Sequence, residues 1–222
     1  MESITATIIA FTALITAVSS LIVNFLKAKK EIENSLPNKI KQQCTIDLTI
    51  TKKMEEAKEF LLADRVQIYD FHNGYHYANG RSALKMSCTY EVCRMGCRAY
   101  QMYLQAIPLT CLPNFVQTLL DDKEIKVNNI EEIRDTMPAS YSFKKDQGIK
   151  SFYDIILQNK NQEPIGFLAV QFKETDKVNF DEQAKNEILK LKFFIEENLE
   201  KMTLAKKWER RNRLWIIKYM IS

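Results

Sequence analysis

KSFYDIILQ (150–158) and PIGFLAVQF (164–172) are two β-rich runs joined by the polar turn NKNQE (159–163). Aromatic and branched residues bounded by Asn and Gln predict a pair of antiparallel strands. Downstream, Asn179 followed three residues later by Glu182 has the spacing of a capping box. Ile188, Leu191, Ile195, Leu199 and Met202 then supply a helical stripe. Upstream, RVQIYDF (65–71) reads as a strand ended by His72, Asn73 and Gly74, with an aromatic loop as far as Ser82. Met86, Cys88, Tyr90 and Val92 alternate, which predicts a second strand over about 84–93. Ile46, Ile50, Met54, Ala57 and Leu61 mark an amphipathic helix ahead of both strands. NFVQTLLDD after Pro113 predicts a surface helix, Val127 a short strand, and 129–134 a brief helix behind an Asn cap, while 95–110 reads as strand or short helix. The order helix, strands, helices, hairpin, helix predicts an α+β fold with an antiparallel central sheet and flanking helices.

Three of these segments resemble a GAF domain, the small sensor fold related to PAS. They are the first strand ADRVQIYDF (63–71), the closing strand EPIGFLAVQF (163–172) and the helix NFDEQAKNEILKLKFFIEENLE (179–200), and the resemblance covers roughly 46–202. It implies a pocket over one sheet face that takes a cyclic nucleotide, a small metabolite, haem or a bilin, or that stays empty in members that only hold dimers together. Asn179, Phe180, Asp181 and Glu182 carry only a fragment of the cyclic-nucleotide motif. The resemblance therefore names no ligand. No cofactor is expected beyond an unknown small ligand.

Ahead of this domain, Ile4 to Leu26 contains 23 residues without a charge. A helix of that length rises about 35 Å and crosses a hydrocarbon core of about 30 Å. Glu2 precedes it and Lys27, Lys29 and Lys30 follow, so the basic flank predicts a single-pass cell-membrane protein with its N-terminus outside and its domain cytoplasmic. The alternatives are a cleaved signal peptide, or a buried helix in which the Thr and Ser residues temper the apolar run. Ala6, Ala10, Ala13, Ala17, Ser20 and Asn24 recur at helical spacing, a small-residue face suited to helix pairing and a homo-oligomer. The expected organisation is an anchor (1–26), a polar stalk with Pro37 (27–43), a GAF-like domain (44–202) and a basic amphipathic tail (203–222).

His72, Asn73, Tyr75 and Tyr77 form the expected ligand-binding group, since His and Asn anchor polar ligands and Tyr supplies aromatic area. The alternative is a turn whose side chains pack locally. Cys88, Cys93 and Cys97 lack the paired spacing of a zinc site and read as structural thiols, so no metal is expected. The five cysteines are an odd set, which points to a reducing compartment. The net charge of +4 is mild. In the tail, Lys206, Lys207, Trp208, Arg210, Arg211, Arg213 and Trp215 mix cations with aromatics, a pattern suited to anionic lipid. A terminal helix with a solvated basic face is the alternative, and no specific nucleic acid is expected. The sequence holds no G-x-S-x-G elbow, Walker A loop, Rossmann glycine set or H-E-x-x-H motif. Together these features lead to the expectation of a membrane-anchored, non-enzymatic sensory or scaffolding domain acting by oligomerisation or partner recruitment. The alternatives are a ligand-free accessory membrane component, of phage or mobile-element origin, and a small-ligand-binding signalling regulator.

Overall fold

In the computed structural model, β5 (Ser151–Gln158) and β6 (Pro164–Phe172) pair antiparallel, with Ser151 opposite Phe172 and Leu157 opposite Gly166. The turn is held by Asn159, whose Oδ1 accepts from Asn161 N (2.9 Å) and Glu163 N (3.0 Å). β6 in turn pairs with β1 (Arg65–His76), and β1 with β2 (Ser82–Cys93). The short strands β3 (Ile107–Pro108) and β4 (Glu124–Val127) close the two edges, giving one six-stranded antiparallel sheet in the order β3-β2-β1-β6-β5-β4. The structure describes the backbone of residues 2–33 and 35–220, and side-chain surroundings for 11, 12, 14–31, 35 and 37–201.

Alternation along the strands separates two faces. On one, Val66, Ile68, Leu168 and Val170 are fully buried. The helix α2 (Leu36–Leu61) brings Ile50, Met54, Ala57 and Leu61 to this side, and α5 (Glu182–Met220) brings Ile188, Leu191, Ile195 and Leu199. The start of α5 is capped by Asp181, whose Oδ1 accepts from Ala184 N (2.8 Å), and not by the predicted Asn179. The other face carries a second apolar cluster built on Tyr69, Met86, Cys88, Phe152, Ile156, Phe167 and Ala169. It is covered by α3 (Pro113–Asp122) and α4 (Pro138–Lys145), with Leu112, Phe115 and Leu119 reaching into it. Gly166 lets β1 and β6 approach. A Cβ there would stand 1.9 Å from the Tyr69 carbonyl oxygen, and backbone cannot yield that distance.

The antiparallel sheet with flanking helices is thus observed, but several expectations need correction. β1 does not stop at Phe71. It runs on to His76, and the turn falls at 77–81, where Tyr77 N donates to Arg81 O at 2.8 Å. A ladder that stays hydrogen-bonded outlasts the Asn73-Gly74 pair read as a turn. The segment 129–134 is a 3-10 turn, Ile130–Ile133, with the expected Asn129 cap reciprocated by Glu132.

The largest correction concerns the membrane. The chain divides into two units, 1–48 and 49–222, and the first contains α1 (Glu2–Glu33). Among the described residues no helix is long and apolar enough to cross a membrane. The physical reason lies in the described part of α1, where apolar residues alternate with Thr16, Ser19, Ser20 and Asn24 and then meet Lys27, Lys29, Lys30 and Glu31. The transmembrane helix, the outside-to-cytoplasm orientation and the cell-membrane placement are therefore withdrawn, as is a membrane-anchored function. Ala17, Ser20 and Asn24 are exposed on α1, while the side chains of Ala6, Ala10 and Ala13 lie outside the described residues. The pairing face, and the homo-oligomer expected from it, lose their setting with the span. Lys27, Lys29 and Lys30 become ordinary exposed residues at the end of α1. The side chains of Lys206, Lys207, Trp208, Arg210, Arg211, Arg213 and Trp215 lie outside the described residues, and their expected lipid contact is withdrawn with the rest.

Candidate functional site

The face under α3 and α4 contains charged and amide side chains that the sequence did not announce. At the start of β1, Arg65 is 1% exposed and its Nε stands 3.1 Å from Glu91 Oε1 across the ladder. Its Nη1 donates to Oε1 of Gln147 (3.3 Å) and of Gln171 (3.2 Å), and its Nη2 to the Arg98 carbonyl (2.8 Å). Gln67 links the group: its Nε2 donates to Glu91 Oε1 at 2.8 Å, and its Oε1 accepts from Gln171 Nε2 and Tyr69 OH, both at 3.0 Å. These residues fall together because Arg65, Gln67 and Tyr69 share one side of β1 and stand opposite Gln171, Ala169 and Phe167 of β6.

The loop after β2 is pinned onto this belt. Glu91 Oε2 accepts the backbone N–H groups of Tyr100 (2.7 Å) and Gln101 (2.8 Å), and the Arg65 guanidinium lies 4.8 Å from the Tyr100 ring centroid. A carboxylate that holds one guanidinium and two amides has its lone pairs well used, which is what makes a buried charge tolerable.

Deeper toward β5, Lys144 Nζ donates to Asp154 Oδ2 at 2.7 Å, with Lys144 4% and Asp154 0% exposed. The ammonium also lies 3.8 Å from the Phe152 centroid and 5.5 Å from that of Phe115. Burial pulls the Lys144 amine below its ordinary value, and Asp154 opposes that pull. Burial likewise pushes the Asp154 carboxyl up against the opposing effect of Lys144. Both shifts have one cause, the scarcity of water around the pair. Burial also raises the phenol of Tyr69 well above its usual range.

Beside the Lys144–Asp154 pair, Asp154 Oδ1 and Ser140 Oγ are buried without a hydrogen-bond partner, as is Arg65 Nε in the belt, where it keeps only its ion-pair contact with Glu91. Ser140 and Lys144 are four residues apart on α4 and share its inward side. Both border a cavity of about 10 Å³ lined also by Tyr69, Met86, Leu112, Phe115, Phe143 and Phe167. A second, larger cavity of about 90 Å³ lies between the starts of α3 and α4, with Leu112, Phe115 and Ser140 in common with the first. Phe167 occupies the centre of the face, stacked on Tyr69 at 4.5 Å and met edge-on by Phe115 at 5.5 Å.

The expected ligand group sits elsewhere. His72, Asn73, Tyr75 and Tyr77 lie on the protruding end of the β1–β2 hairpin and line neither cavity. Their contacts are local: His72 Nε2 with Ser87 Oγ (2.8 Å), Tyr75 edge-on to Tyr77 (5.7 Å), Lys85 over Tyr75 (4.7 Å) and Arg81 over Tyr77 (5.1 Å). Cys88 is buried in the apolar cluster, where burial raises its thiol, and Cys93 and Cys97 are half-buried. Among the described residues, no group of three or more His, Cys, Asp and Glu is arranged to hold a metal ion. Sequence reasoning missed Arg65, Gln67, Glu91, Gln171, Lys144 and Asp154. A signal for most of them was available, because Arg65, Gln67, Asp154 and Gln171 interrupt strands that are otherwise apolar.

Comparison with solved structures now decides the architecture. The blue-light absorbing form of the Thermosynechococcus elongatus PixJ GAF domain matches with a TM-score of 0.54 at 13% identity, covering 74% of this chain and 93% of that one. The chain has a GAF-like fold. The photoproduct state of GAF3 from Slr1393 of Synechocystis sp. PCC6803 matches at 0.52 and 11% identity, with 73% and 98% of the two chains covered. The phycoerythrobilin-bound GAF domain from a cyanobacterial phytochrome matches at 0.53 and 15%, with coverage of 77% and 93%. No family model matches the sequence, and no curated protein does. At these identities the likeness of the GAF-like chain to the three structures extends to the fold alone.

Proposed function

We propose that this chain acts as a GAF-like sensory domain that receives a small ligand on the sheet face beneath α3 and α4. One observation carries the reading. Charged and polar groups that a purely structural core has no need of, from Arg65 to Lys144 and Asp154, are buried on a sheet face that also holds cavities. Convergent polar groups beside an apolar cavity are the usual composition of a ligand site. Ser140, which lines both cavities, adds an unmatched Oγ, and Asp154 Oδ1 is unmatched on the same sheet face.

The bilin of the phycoerythrobilin-bound relative does not fit this chain. Cavities of about 10 and 90 Å³ stand against about 300–1,000 Å³ for pockets that enclose drug-sized molecules. The rings of Tyr69, Phe167 and Phe115 pack against one another on this face and leave no larger space between them. The ligand is accordingly a small metabolite.

The test is native mass spectrometry of the full chain purified without additives, paired with a thermal-shift screen of small metabolites. A copurified molecule, or a saturable rise in Tm with one compound class, is expected. Neither appearing would leave a filled core with a structural role and would overturn the reading.

A further inference from the structure

α3 and α4 both begin with proline, Pro113 and Pro138, and neither start is capped by a side chain. The first amides to find a backbone acceptor are those of Val116, bonded to Leu112 O (3.0 Å), and Tyr141, bonded to Met137 O (2.9 Å). The N–H groups of Asn114, Phe115, Ala139 and Ser140 precede them in the first turns, where no intrahelical acceptor is in reach. The two starts are tied together, since Asn114 Nδ2 donates to the Thr136 carbonyl at 2.8 Å. Between them lies the cavity of about 90 Å³, lined by residues 112–115 and 137–140. Pro113, Asn114, Pro138 and Ala139 are exposed, so the cavity is reached from solvent.

Two helix starts alone would say little. The independent observation is Ser140, 2% exposed, which lines this cavity and whose Oγ has no partner. A buried hydroxyl without a partner costs about 1–3 kcal/mol. That cost disappears when a ligand oxygen accepts from it. Backbone amides, two positive helix ends and a hydroxyl donor at one cavity form the donor set of an anion site.

We propose that the crevice between α3 and α4 binds a small oxyanion, a carboxylate or a phosphate, with Ser140 Oγ and the first amides of both helices as donors. The volume of about 90 Å³ limits what enters to an anionic group of about five heavy atoms. Lys144, one turn past Ser140, lies beneath with its charge already engaged by Asp154, so recognition rests on the amides and the hydroxyl. The proposal names the ligand class of the sensory function given above and rests on that reading.

The test titrates the full chain with sodium phosphate and with sodium acetate against sodium chloride at matched ionic strength, read by Tm and calorimetry. A saturable response to phosphate or acetate, absent with chloride, is expected, and the stronger of the two names the anion. Ser140→Ala removes only the unmatched hydroxyl, so it folds, and it weakens binding about 10-fold or more. Ala139→Asp places a carboxylate at the α4 start, raises Tm without added anion and abolishes the response. A response equal to that of chloride, or a phosphate affinity unchanged in both variants, overturns the proposal. If the oxyanions fail while a neutral metabolite raises Tm, the anion class falls and the sensory reading stands. If neither acts, both fall.

Discussion

Val66 and Ile68 on one side of β1 are no better buried than Arg65 and Gln67 on the other, since all four are 0–1% exposed. The first pair meets α2 and α5 through apolar contact. The second pair meets β2, β6, the loop after β2 and the segment just past α4 through a guanidinium, one carboxylate and three amide side chains. Apolar burial contributes stability without direction, at about 25 cal/mol per Å². The polar face contributes little net stability, because pairing mainly offsets desolvation, but it demands one arrangement of its members. The helix side therefore serves as the support, and the polar side as the part whose arrangement a ligand can bias.

That division can be broken at the buried pair first. Lys144→Met leaves Asp154 uncompensated and should cost about 3–5 kcal/mol in urea unfolding. Adding Asp154→Leu to it should recover most of that loss, a result that no apolar truncation on the helix side would give. The sign of the pH effect is also defined. Without Lys144, burial alone holds the Asp154 carboxyl above its unfolded value, so the folded variant binds a proton more tightly than the unfolded chain. The Lys144→Met deficit should shrink as pH falls through that raised value.

On the helix side, Met54→Ala should cost about 2–5 kcal/mol and Ile68→Val about 0.5–1.5 kcal/mol. Neither variant adds a titrating group, so both losses should stay constant from pH 5 to pH 8, on the order of the range where the wild type is most stable. A loss on this side that varied with pH would erase the distinction between the faces. The smallest effect belongs to the hairpin end. His72→Ala removes a local contact to Ser87 and should change stability by less than about 0.5 kcal/mol.

The apolar face was the legible one. Ile50, Met54, Ala57 and Leu61, the strands beginning at Arg65 and Ser151, and the stripe from Ile188 to Leu199 follow periods that burial imposes, and the sheet follows from them. α4 escaped notice because PASYSFKK is short and polar on most sides, with only Pro138 at its start and Lys144 and Lys145 in its last turn as signals. The polar belt was hidden for a different reason. Arg65 and Gln171 are 106 residues apart, and only the β1–β6 register brings them together. His72, Asn73, Tyr75 and Tyr77 drew attention through composition, but the ladder carries them away from the cavities. The apolar N-terminal run misled through length alone, where the polar and charged residues of α1 weigh as much.

The contrast between crevice and hairpin gives the most direct test of the account. The measurement is an amide chemical-shift titration of the full chain with inorganic phosphate at constant ionic strength. Saturable shifts confined to residues around 113–116 and 138–141, with the amides of 72–81 unmoved, are the predicted result. Shifts centred on the His72–Tyr77 hairpin end, or spread without focus over exposed lysines, would contradict it.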